Sequence, residues 1–466
     1  MTTAILTDLT VEDRSGWRAV VENGVLVELS PARPASRGAG LDAQGASLVP
    51  ALHDHHVHLR AEVARSWSVD LRHSTCRADL AAALSRARPG PDGWVRGVGY
   101  DEDRVGWLTR TILDTVRADA VPVKVQHRSG HLWVLNSVGC EALGETGVRI
   151  DADGLAWDQD ARMPGAEPTR AAIATGLRAL CRAIRAQGCV GVTDMTAGQT
   201  RADIRSLADA GRGWLDIGAY GGAFPDVAWQ KILIEDHDLP DPDHLARRIA
   251  GAGRAAVHAV SREAAALLVA AIGPHGGRVR LEHGFVLDPD LIAMLARTGM
   301  SVGVQPGFIL SRGDGLIRQL AAADLADYQR LRSLKNAGLT LFGGTDRPFA
   351  VGDVWAAMAA AVDRRTRTGA SLGPDEALTP EEAFALFTPT GLRDGAGAPR
   401  VRVGDAGAFC LLDRSWRAAR DSLGGTRVRL TVPAANDSGT AAPSPSRRRG
   451  IYPLLEEEEG REVRHC

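Results

Sequence analysis

Short apolar runs recur along the chain, separated by stretches in which Ala, Leu and Ile return every three or four residues. Runs of that length bounded by Gly, Pro or Asp read as strands, and the three-to-four spacing reads as helices. The runs are Val49–His58, Gly191–Met195, Trp214–Tyr220, Gln230–Glu235, Ala255–Val260, Arg278–His283, Met300–Gln305 and Leu339–Asp346. Between them Arg262–Ile272 and Asp288–Arg297 are rich in alanine and leucine, and Pro380–Leu386 opens as a first helical turn does. Eight such βα units predict an α/β chain folded as a (β/α)8 TIM-like barrel over residues 49–399, with its active site at the C-terminal strand ends.

The flanks follow a different pattern. Ala4–Val11, Trp17–Leu29 interrupted at Asn23-Gly24, and Ala43–Val49 alternate as strands, and Asn-Gly is a hairpin turn signal. Ala406–Asp413 and Arg427–Val432 have the same character. Residues 1–48 and 400–433 are therefore expected to form one small β domain, a β-sandwich built from both chain ends. Residues 60–187 are too many for one crossover and read as an insertion after the first strand, suited to a substrate cap. It contains helix-like Arg77–Arg88 and strand-like Trp94–Tyr100 and Val121–His127. After Pro433 the chain turns to Ala, Ser, Pro and Gly, then to three arginines and four glutamates, so 434–466 reads as a disordered tail.

Composition narrows the function classes. A formal net charge of −2 gives no global electrostatic case for nucleic acid or an anionic membrane. The cysteines are scattered without a C-x-x-C pair, so neither a disulfide framework nor a zinc knuckle is expected. No uninterrupted apolar run is long enough to span a membrane and no leader pattern is evident, so the cytoplasm is the expected compartment. Among the 55 basic residues only Lys124, Lys231 and Lys335 are lysine. A lysine that persists in an arginine-dominated chain is a candidate for chemistry that arginine cannot perform.

The candidate chemistry sits at strand ends. The first strand ends in His53-Asp54-His55-His56-Val57-His58, where alternation puts His56 and His58 on one face. The fourth carries Lys231, the fifth His258, the sixth His283 and the eighth Asp346. A buried core histidine is the plain reading of any one of these, but their convergence on the ends of one barrel points to a divalent metal site. An ammonium would repel a cation, so Lys231 fits such a site if it is carboxylated to an anionic carbamate. Otherwise it is exposed, or paired with Glu235 or Asp236.

These residues resemble the amidohydrolase superfamily of metal-dependent hydrolases, whose first-strand D-x-H-x-H matches Asp54-His55-His56-Val57-His58. Gly99-Tyr100-Asp101-Glu102, His127-Arg128-Ser129-Gly130-His131, His258-Ala259-Val260 and Leu281-Glu282-His283 are similar to its amidohydrolase family 3, N-substituted formamide deformylase-like branch. The likeness runs over about residues 45–413. The chain departs from the pattern at Pro50-Ala51, usually Pro-Gly. It departs again at Ser261-Arg262, usually Gly-Asp, and at Glu235-Asp236, usually Asp-Gly.

The resemblance implies hydrolysis of a non-peptide carbon–nitrogen bond of a small molecule. It implies one or two divalent ions, zinc being expected, held by His56, His58, Lys231, His258, His283 and Asp346. Asp346 is the expected general acid/base and His283 a candidate to stabilise an oxyanion. His127, Arg128, His131 and Asp101 are candidate substrate contacts, with a structural turn and a helix-start carboxylate as their alternatives. Trp94, Trp107 and Trp133 are candidates to line an apolar pocket or to fill cores. A mononuclear deaminase of a nitrogen heterocycle is a rival, disfavoured by Ser261 where such enzymes place a carboxylate. A non-catalytic barrel serving as a binding protein is another. Barrel hydrolases of this kind often associate, so a homo-oligomer is compatible with the chain.

Overall fold

A computed structural model describes residues 3–32, 40–117, 119–130, 132–144, 147–157, 170–221, 229–393 and 395–434. The expected tail lies outside the described residues but for Ala434. The chain divides into two compact units, one of Met1–Trp67 with Gly165–Asp437, the other built on Ser68–Pro164.

The first unit carries eight parallel strands: β1 (Leu52–Val57), β2 (Cys189–Asp194), β3 (Asp216–Ala219), β4 (Gln230–Leu233), β5 (Ala255–Ala259), β6 (Val279–His283), β7 (Ser301–Val304) and β8 (Leu341–Gly343). They pair as two ladders, β3-β2-β1 and β4-β5-β6-β7-β8. At one seam Gly221 bridges Gln230 and at the other Val57 bridges Arg347, both in parallel. The arrangement is α/β and TIM-barrel-like. Every run read as a barrel strand from the sequence overlaps one of these strands, although β2 starts at Cys189, two residues before the expected Gly191.

The helices between them start where local chemistry dictates. Asp241, Ser261 and Asp288 each accept the N–H three residues on, and Pro242 and Pro289 occupy first-turn positions. Thr379 and Glu382 form a reciprocal capping box around Pro380. The outward strand residues Val257, Leu281, Val302 and Leu341 pack with Leu268, Leu291, Leu295 and Leu334 in the main core. That leaves the alternate positions, Ala256, His258, Arg280 and Glu282 among them, on the inner face.

The end segments also belong to this unit. Val25–Pro31, Arg14–Glu22, Thr3–Val11 and Leu41–Asp42 make one sheet, and Val428–Val432, Phe409–Leu412 and Leu48–Pro50 another. Leu6, Leu9, Val21 and Leu26 of the first share a core with Leu48, Phe409, Leu411 and Val432 of the second. Asn23 and Gly24, both at positive φ, make the hairpin turn. The strand expected over Ala43–Val49 is broken instead. Gln44 and Gly45 adopt positive φ between the two short strands, a turn that alternation alone does not reveal.

In the second unit five strands, Leu155–Trp157, Leu132–Leu135, Val123–His127, Val95–Tyr100 and Val69–Asp70, form one sheet with helices such as Arg77–Arg86. The outer parts of the 60–187 stretch behave differently. Val63 of helix Leu59–Arg65 and Leu177, Cys181 and Ile184 of helix Arg170–Ala186 join the main core of the first unit. Among the described residues no helix is long and apolar enough to cross a membrane.

Candidate metal centre

The site begins with how β1 is pinned beside β8. Asp54 is fully buried and accepts from Thr345 N at 2.9 Å, Thr345 Oγ1 at 2.6 Å and His56 N at 3.3 Å. A Cβ at Gly344 would lie 2.3 Å from His56 Cβ, so only glycine lets the two strands approach this closely. The chain then turns at Asp346 with φ 54°, and Asp346 N donates to His56 O at 2.7 Å. Asp54 is thus a strand-end support, while Asp346 is aimed at the histidines.

His283 ends β6 with φ 76°, a left-handed conformation that interrupts the strand's alternation. Its ring lies with centroids 4.9 Å from His56 and 4.5 Å from His258. One donor atom from each of His56, His283 and Asp346 lies within 4.8 Å of the others, a group that could hold a divalent metal ion. His58 Nε2 is 3.1 Å from Asp346 Oδ1, and His56 Nε2 is 3.5 Å from the same oxygen.

The polar bookkeeping of this cluster is incomplete. His56 Nε2, Asp346 Oδ1 and Lys231 Nζ are buried without a hydrogen-bond partner, the short His58 distance notwithstanding, because its alignment is not that of a hydrogen bond. Buried polar atoms are normally satisfied, so the two orphaned acceptors, His56 Nε2 and Asp346 Oδ1, 3.5 Å apart, fit a bound cation. Lys231 is neither exposed nor paired with Glu235 or Asp236 as its plainer reading supposed.

Burial shapes the charges. Desolvation lowers the pKa of His56, against the opposing pull of Asp346. It holds His283 well below the ordinary imidazole range, with His258 and His56 adding to the effect. Burial also brings Lys231 down to about 8 although Glu282 and Asp346 oppose it. For Asp346 burial alone would raise the pKa, but His56, His58 and Lys231 hold it below its usual value. Neutral imidazoles and an ionised carboxylate are what a divalent cation requires.

The other ring nitrogens are engaged. His56 Nδ1 meets Glu282 Oε2 at 2.8 Å, His283 Nδ1 donates to Gln305 Oε1 at 2.8 Å, and His58 Nδ1 lies 3.2 Å from Thr196 Oγ1. Glu282 and Gln305 were not singled out from the sequence. For Glu282 the signal was the run Arg280-Leu281-Glu282, which puts two charges on the inner face of a strand that ought to be buried. One expectation changes with Gln305. Since His283 gives its Nδ1 proton away, Nε2 carries a lone pair, which suits a metal ligand and not an oxyanion donor.

The remaining candidates lie in the second unit. His127 Nε2 meets Glu102 Oε2 at 2.5 Å and its Nδ1 meets Ser129 Oγ at 2.8 Å. Arg128 pairs with Asp101 at 3.3 Å and with Asp103 at 3.2 Å. Asp101 caps helix Glu102–Val105 by accepting from Asp103 N, the helix-start alternative. His131 lies outside the described residues. Trp94 and Trp133 fill a core with Leu135 and Leu143, while Trp107 is exposed and stacks on Trp157.

The TIM-barrel-like α/β fold thus carries at its strand ends a histidine–carboxylate group that could hold a divalent metal ion. Residues 244–432 match the model of the amidohydrolase family. The amidohydrolase-named protein YtcJ of Bacillus subtilis strain 168 is 24% identical over 424 residues, covering 75% of this chain and 80% of YtcJ. The N-substituted formamide deformylase of Arthrobacter pascens is 31% identical over 142 residues, 29% of this chain and 26% of that protein. The crystal structure of an uncharacterized metal-dependent hydrolase from Pyrococcus horikoshii OT3 has the same fold. Its TM-score is 0.69 at 20% identity, over 91% of this chain and 99% of that one. Residues 244–432 thus carry the amidohydrolase family's pattern, and the likeness to the amidohydrolase-named YtcJ extends over most of the chain.

Proposed function

We propose that the chain hydrolyses a non-peptide amide bond of a small molecule at a metal centre held by His56, His58, His258, His283, Asp346 and a carboxylated Lys231. The observation that carries this reading is the convergence of His56 Nε2, Asp346 Oδ1 and Lys231 Nζ, buried and unpartnered. Zinc suits the imidazole and carboxylate donors. When bound, such an ion supplies hydroxide near neutral pH and polarises the bond attacked.

The chain's own residues do the rest. Asp346 Oδ1, unpartnered on a carboxyl held below its usual pKa, would take a proton from the attacking water and return it to the leaving nitrogen. His56 and His283 are kept neutral by burial, so their free nitrogens act as donors of lone pairs. Lys231, with its pKa near 8, has a neutral amine fraction able to react with carbon dioxide at ordinary pH. We read the eight strands as a closed (β/α)8 barrel and the two terminal sheets as a β-sandwich, since they share one core.

N-substituted formamides and other N-acyl amines are the first substrates to try, because the Arthrobacter pascens relative is a deformylase of such compounds. The zinc-supplemented chain is screened against N-formyl and N-acyl amines, amino-acid amides and cyclic amidines, with product amine measured. Chelator-sensitive release of amine from one class is expected. Turnover of none of these, or turnover that chelation leaves intact, contradicts the proposal.

A further inference from the structure

Glu282 divides its two carboxylate oxygens between a permanent donor and a histidine. Oε1 accepts from Arg280 Nε, and Oε2 stands 2.8 Å from His56 Nδ1. Arg280 is held in turn. Its Nη2 donates to His55 O at 3.1 Å, and its guanidinium lies 5.6 and 5.5 Å from the rings of Tyr220 and Phe342. Arg280 and Glu282 are two apart on β6, share its inner face and are buried. Space for the carboxylate exists because β7 pairs Gly303 with Glu282, and a Cβ at Gly303 would fall 2.2 Å from Oε2. The slot is built around an ionised carboxylate in one orientation.

Guanidinium offers only donors and an ionised carboxylate only acceptors. A carboxylate oxygen 2.8 Å from an imidazole nitrogen needs a proton between them, so His56 carries its proton on Nδ1. The Gln305 amide nitrogen, 3.3 Å from the same Nδ1, finds no lone pair there, consistent with its longer distance. We infer that Arg280, acting through Glu282, decides which nitrogen of His56 holds the proton, and that both are positioning residues for its free Nε2. The use to which Nε2 is put rests on the metal-site reading above; the tautomer itself does not.

The inference makes an unusual demand on Glu282→Gln. A glutamine has one oxygen and one NH2. Arg280 cannot accept, so it claims the oxygen and turns the NH2 toward His56 Nδ1. That nitrogen must then become an acceptor, the proton moves to Nε2, and the lone pair facing the site is lost. Removing Arg280 as well frees the amide to flip and restores the original tautomer.

The test is 15N-histidine NMR of the full chain stripped of metal, with the His56→Gln spectrum assigning the resonance, followed by Zn2+ titration. Wild type should show His56 protonated on Nδ1, Glu282→Gln on Nε2, and Arg280→Met with Glu282→Gln on Nδ1 again. Zn2+ affinity should fall on the order of ten- to a hundredfold in the single variant and recover in the double. If Glu282→Gln does not fold, Gly303→Ala, which crowds the Glu282 carboxylate, should shift part of His56 to the Nε2 form. A wild-type His56 protonated on Nε2, or a Glu282→Gln chain that keeps Nδ1–H, overturns the inference and leaves the metal-site reading standing. The expected tautomers in a chain that binds no Zn2+ uphold the relay and overturn the metal-site reading.

Discussion

Asp54 grips Thr345 twice, by the backbone N–H at 2.9 Å and by the hydroxyl at 2.6 Å, and so ties the first barrel strand to the eighth beneath the site. His56 and Asp346 each lie within two residues of that clasp. Asp54→Ala would leave Thr345 N–H buried without a partner, costing about 1–3 kcal/mol. A drop in the urea midpoint with unchanged slope checks this, and metal content should fall with it. An unchanged midpoint would show that the clasp contributes nothing.

Lys231 separates a carbamate site from a purely histidine–carboxylate one. Lys231→Arg keeps a positive charge but cannot be carboxylated, so metal content and turnover should both fall. Stripping bicarbonate during reconstitution should lower metal uptake in wild type and leave the variant unaffected. An arginine variant with full metal content contradicts the carbamate.

Asp346→Asn retains the shape of the side chain and removes its basicity. The expected loss in kcat is on the order of 10²- to 10⁴-fold, as for removal of a general base, with a smaller loss of metal. Near-normal kcat in a metal-loaded Asn variant would remove Asp346 from proton transfer.

Acid should act on the second unit through Glu102. Burial alone would raise its pKa, but the hydrogen bond from His127 dominates and brings it down to about 2. A depressed folded-state pKa gives stability that is present above the ordinary value of 4.5 and lost as pH falls through about 2. Glu102 is partly exposed, so solvent screening keeps the effect small. Amide hydrogen exchange around Glu102–Val105 should quicken over that window in wild type, and Glu102→Gln should flatten the change. Identical acid profiles would contradict the role of the His127 pair.

The strand ends were legible because parallel strands buried on both faces leave continuous apolar runs, and the candidate ligands appear where those runs stop. His56, His58, His258, His283 and Asp346 could each be placed in this way. Glu282 and Gln305 could not, because their roles depend on pairings between strands, His56 with Glu282 across more than two hundred residues and His283 with Gln305. The turn at Gln44-Gly45 was hidden for the opposite reason. It is purely local, but its sequence lacks the Asn-Gly signature that marks the Asn23-Gly24 hairpin. Trp94 and Trp133 show the limit of residue type as a guide, since both are core residues.

Metal content of the purified chain is the most direct measurement of the central claim. Prepared without chelator and supplemented with Zn2+, wild type should hold about one to two ions per chain, as hydrolase centres do. A His56→Ala, His283→Ala double variant that remains folded should hold none. A wild-type chain that retains no divalent ion after supplementation, or a double variant that retains as much as wild type, would contradict the metal centre.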